Sequence, residues 1–200
     1  MVDLSVPNKR AIMINEAVDS YPKFPLADGF VIKGYEDGFE NDWADIEVEQ
    51  QGLEKSRALE VFAKEFLSRP ELIRERCLFV IEERTGKVAS IASLWRGELV
   101  PGKEMNRIHW VATRDEFQGL GLSKALLSYA MDLYHKLGQT DGIYLTTQSA
   151  SYVAINIYKK LGFVPYLGEY HKDGEFDLAA HREAWEIIDK KISEYKRKKA

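Results

Sequence analysis

Two hundred residues with 45% apolar side chains suffice for one domain with a real core, and no repeat, low-complexity tract or Ser/Gly-rich linker marks a boundary. Charged residues make up 30% and the net charge is -4, which excludes the basic surface usual in a nucleic-acid-binding domain. A single cysteine, Cys77, excludes an internal disulfide and a cysteine-based metal cluster; without a hydrophobic leader or a run of membrane-spanning length, the expectation is a cytoplasmic protein that uses no metal.

In chain order, residues 1–27 read as a leader packed on the domain. It ends at Tyr21-Pro22-Lys23-Phe24-Pro25, where two prolines exclude helix. The domain proper is expected over 28–178, followed by a C-terminal helix with a basic tail over 179–200. A strand is predicted from Phe30 to Tyr35, then helices over Glu40–Gln51 and Glu54–Ser68, the second stopped by Pro70. Leu78–Glu82 and Val88–Trp95 read as hairpin arms around Arg84-Thr85-Gly86-Lys87, with a further strand over Arg107–Thr113. Leu122, Leu126, Ala130, Leu133 and Leu137 recur at helical spacing, predicting a helix over Gln118–Leu137 that Gly138 ends. Ile143–Thr147 reads as a strand, Tyr152–Leu161 as a helix and Phe163–Tyr166 as a strand. From about Ala179 a last helix can pack Trp185, Ile188 and Ile192 on one face. This order is not the strict alternation of a doubly wound protein.

The most informative segment is Thr113 to Leu127, where a β-rich run enters a glycine turn and a strongly periodic helix leaves it. The first N–H groups of such a helix lack partners and the helix dipole favours negative charge there. Glycine has no Cβ to keep a ligand away from the backbone. An anion site follows, a phosphate or pyrophosphate by preference. A dinucleotide fingerprint would need glycine where Lys124 stands, and a Walker A run is missing.

Gln118-x-x-Gly121-x-Ser123 resembles the acetyl-CoA loop of the GNAT acyltransferases, with Ser123 in place of the usual Gly or Ala. Downstream, Ser151-x-x-Ala154-x-x-x-Tyr158-x-x-x-Gly162-Phe163 resembles the same family's helix motif, with Ser151 where Asn is usual. The resemblance is specific over Leu78–Tyr166, weaker over Phe30–Ser68 and absent at both ends. It implies a GNAT fold of the α+β class: a mostly antiparallel twisted sheet of six to seven strands flanked by helices, with an extra C-terminal helix. It also implies acetyl-CoA as cosubstrate, bound by Val111, Ala112, Thr113, Gln118, Gly119, Leu120, Gly121, Leu122, Ser123, Lys124, Ser151, Ala154 and Tyr158. Transfer would go directly to an amine, in a monomer or homodimer, with neither nucleic acid nor membrane as partner.

Three tasks then need residues: deprotonating the amine, stabilising an oxyanion and protonating the thiolate. The resemblance assigns the third to Tyr158, whose phenol (pKa about 10) can donate to a thiolate (about 8.5), and the second to backbone amides near Val111. His109, on the strand entering the loop, has two readings: the base, as in some arylalkylamine members, or a half-buried strand histidine bonded to a carbonyl. Trp43, Thr147 and Gln148 are candidate acceptor contacts. Glu36, Asp37, Glu40, Asp42, Asp45, Glu47, Glu49 and Glu54 form a run without Lys or Arg. Such a run would draw a cationic amine, or is only a solvated helical face. The expected activity is N-acetylation of a primary amine of a small molecule or peptide. The alternative is an acyl-CoA-binding sensor without turnover.

Overall fold

The computed structural model describes residues 3, 5–168, 170–171, 174–175 and 177–199. Seven strands form one sheet: β1 (Arg10–Asn15), β2 (Phe30–Gly34), β3 (Cys77–Glu82), β4 (Val88–Val100), β5 (Lys103–Thr113), β6 (Ile143–Gln148) and β7 (Val164–Pro165), in the order β2-β3-β4-β5-β6-β1-β7. Among the described residues six α-helices accompany it: α1 (Phe39–Gln51), α2 (Lys55–Phe62), α3 (Pro70–Arg76), α4 (Leu122–Lys136), α5 (Tyr152–Lys160) and α6 (Leu178–Lys199). The mixed sheet and the C-terminal helix are those expected. The chain divides into two compact units, a central one (23–95 and 108–139) and a terminal one (1–22, 96–107 and 140–200), named for their place in the chain.

In the central unit β2, β3 and β4 form an antiparallel meander, with a bulge where Val80 and Ile81 meet β4. Alternation along β3 turns Phe79 and Ile81 toward the helices, where Trp43 of α1, Phe62 at the end of α2, Phe66, Ile73 of α3 and Trp95 of β4 close a core. The rings meet edge-on or tilted: Trp43 lies 5.3 Å from Phe62 and Phe66 lies 4.8 Å from Trp95. Full burial of such a side chain is worth roughly 1.5–3 kcal/mol. Between α2 and α3 the chain makes a π-helical turn over Ala63–Leu67. Pro70 does more than stop the preceding helix. It opens α3, which the reading above missed; at a first helical position proline forfeits only an N–H that would be unpaired anyway.

The terminal unit corrects the leader. Its segment Arg10–Asn15 is a strand, β1, antiparallel to β6 from Arg10↔Gln148 to Asn15↔Ile143 and to β7 at Met13↔Pro165 and Ile14↔Val164. The run Ala11-Ile12-Met13-Ile14 is buried on both faces, so it shows none of the alternation that marks a half-exposed strand. Beyond the end of β7, the N–H of Ile12 donates to His181 Nε2 (3.0 Å), and the Trp185 indole N–H donates to the same nitrogen (3.1 Å). Helix α6 is thereby joined to β1. Burial lowers the pKa of His181, as an acceptor nitrogen requires. Two strands run well beyond their predicted ends, β4 to Val100 and β5 from Lys103, while Pro165 without an N–H limits β7 to two residues. Within this unit β5 lies parallel to β6 at Asn106↔Ile143 and Arg107↔Tyr144.

Candidate functional site

Between β5 and α4 the chain makes a single 3-10 turn, Asp115–Phe117, and then a loop ending at Gly121. Gly119 (φ 86°) and Gly121 (φ 80°) take left-handed backbone, so α4 begins at Leu122 and not at Gln118. A Cβ on either glycine would meet no protein atom within 4 Å, so the space above them is open. The N-cap of α4 is Gly121 with no side-chain cap. Among the described residues, the amides of Gly119, Leu120 and Gly121 find no acceptor in the chain. Lys124, one turn into α4, places its ammonium 5.9 Å over the Phe24 ring. Free amides, a helix N-terminus, open space and a nearby cation suit a diphosphate.

Three hydroxyls join the strand to this helix. Ser90 Oγ donates to Ala112 O (2.8 Å), so Thr113 Oγ1 must donate to Ser90 (2.7 Å) and Ser123 Oγ to Thr113 (2.7 Å). Serine where the related motif has Gly or Ala thus ties the first turn of α4 to the end of β5.

Helix α1 holds the loop from the other side. Arg114 donates from Nε to Val88 O (2.8 Å) and faces Asp42 (3.5 Å) and Glu49 (3.7 Å), which stand two turns apart on α1. Glu49 also accepts from the Asp115 N–H, and the Asp115 carboxylate accepts from Gln50 (2.9 Å) and Gln118 (2.7 Å). The reading above missed Arg114, Glu49 and Gln50 as loop supports. Carboxylates at a seven-residue spacing share a helix face, which was the available signal. The acidic run is largely neutralised in place: Glu36 meets Lys33, Asp37 Arg74, Asp45 Lys55, and Glu40 accepts from Tyr35 and the Gly38 N–H. Its field on an acceptor is weaker than its formal charge.

Just before the loop, the backbone of β5 is irregular. Trp110 has φ 51°, a left-handed value rare for an aromatic residue. Its indole Nε1 is buried without a partner. Its ring packs on Trp43 (5.0 Å) and on His109 (4.9 Å). Trp43 is 1% exposed, so it backs Trp110 from the core and presents no surface to an acceptor. His109 is half-buried; its carbonyl accepts from Ser93 Oγ (3.0 Å) and its Nε2 lies 3.4 Å from Glu65 Oε1.

One turn along α1 from Trp43, the Glu47 carboxylate is fully buried; Gln51 Nε2 donates to Oε2 (2.5 Å) and Oε1 has no partner. Burial pushes its pKa from 4.5 up to about 7, against the opposing Gln51 bond. The native state therefore keeps a proton that the unfolded chain releases near 4.5. Stability should fall as pH rises from 4.5 through about 7, by on the order of 3 kcal/mol, and level off above. In Glu47→Gln that fall should vanish, leaving the variant more stable than the parent at pH 8. Urea denaturation of both proteins at pH 5 and pH 8 measures it, and equal pH dependence would overturn it.

The remaining candidates lie together in the terminal unit. Thr147 and Gln148 end β6, and a 3-10 turn, Ser149–Ser151, leads into α5 with Ala154 and Tyr158. Ser149 Oγ accepts from the Lys9 N–H (2.9 Å), holding this turn to the segment before β1. Tyr158 is 7% exposed with its ring 6.2 Å from Phe163, and burial raises its pKa above the ordinary value of 10. Gly162 (φ 89°) ends the motif, and a Cβ there would lie 3.0 Å from Asn15 Nδ2, which donates to Leu161 O (3.1 Å). Among the described residues no group of three His, Cys, Asp or Glu could hold a metal ion, and no helix is long and apolar enough to cross a membrane.

The chain is an α+β fold with a glycine turn opening α4, and comparison with known proteins gives its class. Residues 37–163 match the model of the acetyltransferase (GNAT) family, and the chain belongs to that family. An N-alpha-acetyltransferase of Sulfurisphaera tokodaii is 36% identical over 67 residues, 32% of this chain and 40% of that protein. The structure of a GCN5-related N-acetyltransferase from Sphaerobacter thermophilus superposes with a TM-score of 0.62 at 20% identity, over 80% of this chain and 49% of that one. For glucosamine-6-phosphate N-acetyltransferase from Arabidopsis thaliana the TM-score is 0.50 at 18% identity, over 72% and 97%. The chain thus spans half or less of the first two relatives, and the structural likenesses speak for the fold alone.

Proposed function

We propose that this protein transfers an acetyl group from acetyl-CoA to a primary amine of a small molecule or peptide. The observation that supports it is the uncapped start of α4, with the open amides of Gly119, Leu120 and Gly121. Bound acetyl-CoA would supply an activated acetyl thioester and a thiolate leaving group. Residues 119–123 would hold its pyrophosphate through N–H groups, with Gln118 shaping the loop and Lys124 adding positive charge. Backbone of Val111, Ala112 and Thr113 would line its pantetheine arm, and Ser151 and Ala154 would complete the donor side as the family motif implies. Tyr158 would give its phenolic proton to the departing sulfur; the raised pKa keeps that proton in place at neutral pH. His109 would accept the proton of the attacking amine. Thr147 and Gln148 remain candidate polar contacts for the acceptor.

A thiol-release assay with acetyl-CoA against amines, polyamines and peptides tests this, run beside a melting curve with CoA. Amine-dependent release is expected. A raised melting temperature without release across the panel would mean an acyl-CoA-binding sensor, and neither response would overturn both readings.

A further inference from the structure

The reading of His109 as a base leaves open what orients its ring and stabilises the cation it would form. Glu65 Oε1 stands 3.4 Å from His109 Nε2, with the two side chains 32% and 16% exposed. Both belong to the central unit, and each sits at an irregularity in its element. Glu65 lies within the π-helical turn Ala63–Leu67, where one extra residue per turn changes which side chains face the sheet. His109 directly precedes the left-handed Trp110, its ring against that indole and its carbonyl held by Ser93. The π turn and the left-handed residue are each a local departure from regular helix and strand. Together they bring a carboxylate to an imidazole nitrogen.

We propose that Glu65 is a positioning residue for His109, forming a carboxylate–imidazole pair that makes His109 the proton acceptor of the reaction. This rests on the N-acetyltransferase reading above. With Nε2–H directed at Glu65, the lone pair lies on Nδ1. His109 takes one proton at Nδ1 from the acceptor nitrogen as that nitrogen bonds the acetyl carbon; the carbon–sulfur electron pair leaves on sulfur. The Glu65 carboxylate then faces an imidazolium, which it stabilises. A separation of 3.4 Å is long for a hydrogen bond and within ion-pair range, and such contacts commonly shorten when substrate binds.

On the same π turn, Lys64 directly precedes Glu65. Between Val88 and Trp95, β4 carries no ionisable side chain. Helix α1, packed on Trp110 through Trp43, carries Glu47 one turn on. Glu47 could itself titrate in this range, so Glu47→Gln is a necessary control.

The test is an NMR titration of the four histidines in the ligand-free protein, with the His109 signal assigned from its loss in His109→Gln. In Glu65→Gln the His109 pKa should fall by about one unit, because an opposite charge has been removed. In turnover, kcat/KM should rise with pH through the same pKa in the parent. Glu65→Gln should move that limb to lower pH and lower its plateau about tenfold, with KM for acetyl-CoA unchanged. Glu47→Gln should leave both as in the parent, and Glu65→Gln should add little in a His109→Gln background. If Glu65→Gln leaves the His109 titration unmoved, the pairing is overturned while His109 can still be the base. If the titration moves but His109→Gln retains the pH limb, His109 is not the base and the proposal falls. If no variant and no parent protein turns over any amine, the functional reading has failed instead, and the titration separates that result from the other two.

Discussion

Replacing Tyr158 by Phe is expected to slow acetyl transfer by 10²–10⁴-fold, the usual contribution of a positioned acid, while acetyl-CoA binding stays nearly intact. The substitution removes one hydroxyl and leaves the ring packed against Phe163. A phenol this buried holds its proton beyond the ordinary tyrosine range, so at neutral pH it is a donor in every molecule. As the proposed acid it would give up its proton only as negative charge grows on sulfur, so the loss should fall on kcat and not on KM. Steady-state kinetics with the best amine, together with the CoA-induced melting shift, separate the two effects. A Phe variant that keeps most of its activity would make Tyr158 a packing residue.

Gly121→Val should abolish the stabilisation that acetyl-CoA confers. A ligand at one hundred times its Kd adds about 2.7 kcal/mol, roughly 5–10 °C in melting temperature for a chain of this size. The valine has two consequences that must be kept apart. A φ of 80° strains any residue with a Cβ, at a cost of roughly 1–2 kcal/mol to the protein alone. The side chain itself points into space that no protein atom occupies within 4 Å, so any further effect falls on whatever binds there. Gly121→Ala serves as the companion, with the same backbone strain and less bulk. A lower melting temperature that still rises fully with acetyl-CoA would remove the pyrophosphate from this loop.

Local signals carried the central part of the fold. Helical periodicity in α4, the glycines at 119 and 121, and the Ala154–Tyr158–Gly162-Phe163 spacing are each set by a few neighbouring residues. Their meaning survives whatever packs around them. The strand in the leader was harder to read because β1 is buried on both faces, and its assignment depends on β6, more than a hundred residues away. Helix α3, which Pro70 opens, was hidden because the same residue that stops one helix favours the start of another.

The candidate site divides along the same line. The glycine turn before α4 could be read from the sequence because glycine geometry is a local property, and Tyr158 was singled out by its resemblance to the family motif. That Arg114 is gripped by Asp42 and Glu49, that Ser123 closes a chain of hydroxyls, and that Trp43 lies in the core belong to the tertiary structure. So does the approach of Glu65 to His109, forty-four residues apart in the chain. Long-range pairs depend on how a helix sits against a strand, here at a π turn and beside a left-handed residue. Sequence alone therefore determined the family and the glycine turn that opens α4, while folding decided which charges are paired in support, because such pairs depend on how distant segments pack.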